Sequence, residues 1–159
     1  MNANANTNAS IMMREAELSD LDFVMDTVSK SLRNSPMFKL CSNDVFYEGF
    51  KEHIEPLIME SQIVVACNPE DPSQIYGYVS YYKTGSHNTG KIVSTTVNYM
   101  YIKQVYRGMT IGSQLLNVIW HKDTFLLYKY STPSWEKFIK QHTSKAYFSP
   151  FANRSKETI

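Results

Sequence analysis

This sequence contains little cysteine and little glycine, and neither sign of charge is in clear excess. Two cysteines among 159 residues cannot form a disulfide framework, and Cys67, at the end of the apolar run "IVVAC", is typical of a small buried hydrophobe. The 16 basic and 15 acidic side chains nearly cancel. Nucleic acids and anionic membranes attract strongly basic surfaces, so we expect neither of them as a partner.

Long apolar runs are also missing. No run approaches the roughly 20 residues that span a bilayer, and the first ten residues, "MNANANTNAS", lack the basic and apolar regions of a signal peptide. We therefore expect a cytoplasmic protein. Residues 1–10 are predicted to form an arm that is disordered or becomes ordered on a protein partner, and the polar residues 152–159 a flexible tail.

The sequence does contain enough apolar material for one packed domain. Hydrophobic residues make up 43% of the chain and aromatic residues 13%, which fits a globular fold of this length. Patterning predicts a strand, two helices, a meander of three strands and a helix over residues 112–122. A strand, a short helix over residues 132–142 with Pro133 near its start, and a final strand follow. Ser19 is the expected N-cap of the first helix, and Pro56 should break or bend the second. The result is an α+β domain over residues 11–151.

Two patterns suggest sites that the chemistry does not support. Residues 85–91, "GSHNTGK", approach the phosphate-loop pattern of nucleotide hydrolases, but Ile92 stands where Ser or Thr should bind magnesium. β-branched residues follow, so a hairpin loop is predicted instead. The four histidines, at 53, 87, 121 and 142, lack the spacing of metal ligands, and no metal site is predicted.

Residues 105–116, "VYRGMTIGSQLL", have the composition of a phosphate-binding loop. Glycines let a backbone approach phosphate closely, and the N–H groups at a helix start provide donors with a favourable dipole. Arg107 adds a positive charge, and an apolar helical run follows. The stretch predicts a cradle for a pyrophosphate group.

The arrangement resembles motif A of the GNAT superfamily, the acyl-CoA-dependent N-acyltransferases. That motif is usually written Q/R-x-x-G-x-G/A and aligns with residues 107–112. "IMMREAELSDLDFV" and "IYGYVSYY" are similar to the family's first strand with its helix start and to its third strand. The resemblance covers nearly all of residues 11–151. The segments "VNYMYIKQVYRG" and "FSPF" resemble those of short GNAT-like proteins carried by bacteriophages.

The resemblance implies a fold, a cofactor and a site. The fold would be a single mixed, mostly antiparallel sheet of six or seven strands flanked by helices, with acetyl-CoA as co-substrate and an amine of a small molecule or protein as acceptor. The family's fourth and fifth strands separate so that the pantetheine arm lies between them, and the backbone of Ile102 would bond that arm and polarise the thioester carbonyl. The implied cofactor-binding residues are Ile102, Arg107, Gly108, Met109, Thr110, Ile111, Gly112 and Ser113.

Three departures from the family pattern bear on catalysis. Thr110 replaces a motif glycine, and its hydroxyl could either face a phosphate oxygen or cap the start of the helix. Residues 91–102 contain no Asp or Glu, and Phe138 stands where many members have an acidic tyrosine. Five nearby residues are possible substitutes: Tyr128, Tyr130, Glu48, Glu52 and Glu55. An N-acetyltransferase is the first interpretation. The alternative is a catalytically inactive GNAT-fold protein with a structural or interaction role, for example in a phage particle or on a host protein.

Overall fold

One six-stranded sheet organises the chain. The computed structural model describes residues 10–86 and 88–152, and its strands follow the order β1-β2-β3-β4-β5-β6. The first four strands pair antiparallel with one another in sequence order, whereas β4 with β5 and β5 with β6 are parallel. The strands are β1 Met12–Glu15, β2 Gln62–Cys67, β3 Ile75–Gly85, β4 Ile92–Ile102, β5 Phe125–Tyr128 and β6 Ala146–Phe148. The predicted fold class is confirmed.

Helices cover both faces of this sheet. They are α1 Leu21–Arg33, α2 Asn43–Gly49, α3 Glu55–Met59, α4 Ile111–Ile119 and α5 Pro133–His142. None of the helices within residues 10–86 and 88–152 is long and apolar enough to cross a membrane. The predicted arm, except for Ser10, and the predicted tail beyond Ala152 lie outside the described residues.

The two faces of the sheet bury two separate hydrophobic clusters. On one face α4 contributes Leu115, Leu116 and Ile119, each at most 1% exposed. On the other, α1 packs Val24 and Val28 with the helices that follow. Each fully buried aliphatic side chain contributes about 1.5–3 kcal/mol, so both faces hold the sheet firmly between helices.

The start of α1 and the end of α4 differ from the prediction. Ser19 is exposed and caps nothing; a 3₁₀ turn, Leu18–Asp20, precedes the helix instead, and the Asp20 carboxylate accepts the Glu17 N–H at 2.7 Å. Helix α4 was predicted to continue through residue 122 but ends at Ile119. Trp120 is extended, and its indole N–H donates to the Thr124 carbonyl at 3.1 Å, which turns the chain into β5.

The bend expected near Pro56 is present. Residues Phe50–Ile54 form a π-helical turn in which the Glu55 N–H bonds to the Phe50 carbonyl, five residues back. Pro56 has no N–H to continue a regular helical ladder, so the irregular turn falls directly before it. The hairpin predicted at residues 85–91 is also confirmed, because it joins β3 to β4 with Gly90 at φ 65° and its N–H 2.8 Å from the Ser86 carbonyl. His87 lies outside the described residues.

A part-buried ion pair joins β1 to the start of α1. The Arg14 guanidinium donates to both carboxylate oxygens of Asp20, at 2.6 and 3.0 Å, and these side chains are 17% and 6% exposed. The hydrogen bonds from Arg14 lower the pKa of Asp20, burial opposes that effect, and the Glu17 N–H adds to the lowering. Asp20 is therefore ionised and paired in the folded protein.

Replacing Asp20 should produce a pH-dependent loss of stability. At neutral pH Asp20→Asn leaves the part-buried Arg14 without its counter-charge, so we expect a loss of about 1–3 kcal/mol in urea unfolding. Because the native pKa of Asp20 is lowered, its stabilisation is complete above the ordinary carboxyl pKa and is lost as pH falls through the native pKa. The exposed neighbour Asp22→Asn is the control. Equal losses in the two variants, or a loss independent of pH, would contradict this account.

Candidate functional site

The parallel strands β4 and β5 separate part-way along their length. Their pairing covers Ser94–Val97 of β4, opposite the whole of β5, and the last bond joins the Lys129 N–H to the Val97 carbonyl at 3.1 Å. Strand β4 continues for five residues to Ile102. A gap therefore opens beside the second half of β4, as the family resemblance implied.

The backbone of β4 presents polar groups to this gap. The Lys103 N–H bonds to Tyr76 of β3 at 2.9 Å, and bonding direction alternates along an antiparallel pair. The N–H and C=O groups of Met100 and Ile102 therefore point away from β3, toward the side where β5 has ended. Arg107 confirms this direction, because its Nε donates to the Ile102 carbonyl at 3.1 Å.

A loop with two left-handed residues lies at the open end of the gap. Gly108 has φ 86° and Thr110 has φ 61° and ψ 2°. Helix α4 begins at the next residue, and within the described chain no side chain caps it. The N–H groups of Ile111, Gly112 and Ser113 are thus available, and uncapped helix starts of this kind bind anions.

Thr110 adopts a left-handed backbone conformation of the kind that glycine favours. Left-handed backbone is disfavoured for β-branched residues, so this loop holds local strain. The sequence left open a hydroxyl that caps the helix start, but Thr110 forms no such cap. The Thr110 Oγ instead accepts from the Gln114 side chain at 3.1 Å. The backbone N–H groups at the start of α4 are therefore not bonded by the Thr110 side chain.

Gly112 allows α5 to approach the start of α4. A Cβ at this position would lie 3.2 Å from Cε2 of the Phe138 ring and 3.9 Å from the sulfur of Met100. Phe138, the residue aligned with the family's tyrosine, therefore packs against the start of α4 at Gly112. Its position suits a residue of the site, but its ring has no proton to donate.

Sequence reasoning missed a Ser113–His142 pair beside the loop. Ser113 Oγ and His142 Nε2 are 2.7 Å apart, and His142 Nδ1 is 2.8 Å from the Phe138 carbonyl. Because a carbonyl only accepts, Nδ1 carries a hydrogen and, in the neutral ring, Nε2 accepts from the serine hydroxyl. The two residues are 29 positions apart, and no local pattern signals their contact.

The closed end of the gap holds unpartnered polar atoms. A cavity of about 20 Å³ is lined by Asn98, Tyr130, Thr132 and Trp135, together with neighbouring residues of β4. In the described residues neither polar atom of the Asn98 side chain has a hydrogen-bond partner, and neither does the buried indole nitrogen of Trp135. Asn98 is only 1% exposed. Buried groups of this kind fit a site that is completed by a ligand.

No protein-family model matches the chain, and no curated protein sequence does. Solved structures do match. Ribosomal-protein-alanine N-acetyltransferase from Brucella melitensis biovar Abortus 2308 superposes with a TM-score of 0.59 at 18% identity, over 92% of this chain and 99% of that one. An inferred acetyltransferase from Pyrococcus furiosus gives 0.56 at 17% identity, over 94% and 100%. The chain has the GNAT fold. These identities support the fold alone.

The structure also shows where the possible catalytic substitutes lie. Tyr130 lines the cavity in the gap, and burial raises its pKa, so its phenol is protonated at neutral pH. Tyr128 instead packs against Trp135 within the core cluster under α4. The carboxylates of Glu48, Glu52 and Glu55 lie on the helical segment between Asn43 and Met59, and none of them lines the cavity.

Replacing Thr110 with glycine should strengthen CoA binding without destabilising the protein. Thr110→Gly relieves a left-handed threonine, which offsets the greater flexibility of glycine in the unfolded chain. We expect an unchanged or slightly higher Tm and tighter binding of CoA in calorimetry. Thr110→Ala is the control, because it removes the hydroxyl and keeps the strained Cβ. A clear fall in Tm for the glycine variant alone would show that Thr110 stabilises the loop.

Proposed function

We propose that this protein binds acyl-CoA, with acetyl-CoA as the simplest donor, and transfers the acyl group to an amine of a small molecule or a protein. One observation carries the proposal: the gap beside β4 and the uncapped start of α4 adjoin each other at Gly112, where Phe138 and Met100 meet the loop. The first feature suits an extended arm and the second a pyrophosphate, and CoA contains both.

The cofactor-binding role falls to the residues that resemblance implied. The N–H groups of Ile111, Gly112 and Ser113 would donate to the pyrophosphate, and Gly108, Met109 and Thr110 shape the turn that exposes them. Arg107 is exposed, and its terminal nitrogens have no partner among the described residues, while its Nε ties it to Ile102. Bound acetyl-CoA supplies an acyl group activated as a thioester.

The backbone of β4 would act on the acyl carbonyl. The N–H groups of Met100 and Ile102 face the gap, and a fixed N–H aimed at developing negative charge lowers the barrier to acyl transfer. These donors belong to a strand that is held by β3 on its other edge, so they need no reorganisation. These backbone donors are present although the sequence lacks the family's usual catalytic side chains.

Tyr130 is the candidate proton donor for the departing thiolate. Its ring lines the gap, and its raised pKa keeps the phenol protonated. No carboxylate occurs in residues 91–102, so deprotonation of the amine is not assigned to β4. Much of the rate would come from positioning, which can contribute roughly 7–11 kcal/mol.

The absence of the family's usual catalytic side chains favours a second function. The lack of a carboxylate on β4 and the presence of Phe138 in α5 suit a GNAT-fold protein that binds a partner and performs no chemistry. The bacteriophage-like segments make a virion component or a host-protein binder the form this function would take. Residues 1–10 are the proposed partner-binding arm. Binding of CoA separates the two functions.

Calorimetry with acetyl-CoA tests the proposal. The unmodified protein should bind, and Arg107→Ala should weaken binding by about 1.5–3 kcal/mol because one charge-assisted phosphate contact is lost. Arg107→Lys keeps the charge but not the planar guanidinium that bonds Ile102, so its loss should be intermediate. No measurable binding by the unmodified protein would favour the interaction protein.

Loss of the Tyr130 hydroxyl should slow the reaction and leave binding intact. If Tyr130 acts as general acid, Tyr130→Phe should reduce kcat by about 10²–10⁴-fold with an amine substrate. The affinity for CoA should change little, since the ring still fills its place beside the gap. Tyr128→Phe is the matched control and should retain its rate. Equal effects of the two substitutions would remove the catalytic role from Tyr130.

A further inference from the structure

Asn98 owes its position to an irregularity in β4. Opposite β3, Ser80 pairs with Tyr99 and Tyr81 with Val97, so Asn98 is the extra residue of a β-bulge. Bulges re-aim a side chain relative to the regular alternation of a strand. Asn98 follows the last residue of β4 that pairs with β5 and lines the cavity at the point where the two strands separate.

The polar atoms around this cavity form a defined set of donors and acceptors. Asn98 offers one amide nitrogen and one oxygen, Trp135 offers one indole N–H, and all three atoms are buried without a partner in the described part of the chain. The cavity of about 20 Å³ has room for roughly one water-sized group. A ligand atom placed there would meet donors and an acceptor together.

Among the groups that an acyl chain can carry, a hydroxyl satisfies this set best. A carbonyl would accept from the two donors but leave the Asn98 oxygen unpaired, and an ammonium would do the reverse. A carboxylate would bury a negative charge, and no cationic residue lines the cavity. A hydroxyl both accepts and donates, carries no charge and matches the volume.

We propose that Asn98 and Trp135 bind a hydroxyl group carried by the acyl chain, so that the preferred donor is a short hydroxyacyl-CoA. This inference rests on the proposed function. The N–H of Met100 faces the gap two residues from Asn98, about 7 Å along the strand. A hydrogen bond of about 3 Å to Asn98 covers part of this distance, so a hydroxyl on the third carbon, about 4 Å from the carbonyl carbon, reaches the cavity when the carbonyl lies at Met100.

Calorimetry with three ligands tests the inference: CoA, butyryl-CoA and 3-hydroxybutyryl-CoA. The hydroxylated ligand should bind about tenfold more tightly than butyryl-CoA, because only it satisfies the three buried atoms. Asn98→Leu and Trp135→Phe should each reduce this preference to about twofold or less while the affinity for CoA itself is kept. Asn117→Leu, an exposed asparagine on α4, should leave the preference unchanged.

The outcomes separate this inference from the proposed function. Equal affinities of butyryl-CoA and 3-hydroxybutyryl-CoA, with CoA bound, would overturn the hydroxyacyl assignment alone and leave the cavity to an ordered water. Binding of none of the three ligands would overturn the proposed function and the inference with it. If a substituted protein unfolds, the preference of the unmodified protein still decides, because that comparison needs no variant.

Discussion

The site depends on one constraint: β5 ends before its parallel neighbour β4 does. After the Lys129 N–H bonds to Val97, the chain leaves the sheet for α5. Thr132 and Pro133 cause this departure, because the threonine hydroxyl accepts the Trp135 N–H at 3.2 Å and proline favours the first turn of a helix. The unpaired edge of β4, the gap and the exposed N–H groups of Met100 and Ile102 all follow from that turn.

The same departure builds the walls of the gap. Helix α5 carries Trp135 beside Asn98 and brings Phe138 against Gly112, so one short helix reaches both the closed end and the cradle loop. The loop in turn exposes donors because Thr110 holds a glycine-like conformation at some local cost. Strained backbone next to unpaired donors is typical of sites that bind a ligand.

Local patterns in the sequence predicted most of the fold. β-branched and aromatic runs indicated β2, β3 and β4, and Pro133 signalled the start of α5, because these signals depend on neighbours in sequence. The prediction of Ser19 as the N-cap was wrong. The carboxylate of Asp20, which Arg14 of β1 holds in place, accepts the Glu17 N–H ahead of the helix instead. The capped form considered for Thr110 does not occur, and its hydroxyl oxygen accepts from the Gln114 side chain instead.

The site was only partly predictable. The cradle residues lie together in sequence, so their composition alone indicates phosphate binding. The pairs Ser113–His142 and Asn98–Trp135 unite different elements, and their meaning depends on packing that no local spacing encodes. The proposed acyltransferase thus relies on backbone donors and positioning where the sequence lacks the usual carboxylate.

Amide hydrogen exchange with and without acetyl-CoA tests the central claim most directly. The account predicts slower exchange at Ile111–Ser113 and, in the same titration, at Met100 and Ile102, with no change in the β1–β2 pair on the far side of the sheet. Protection of both segments would show that the cradle and the gap bind one ligand. Unchanged exchange in both segments at saturating acetyl-CoA would contradict the account.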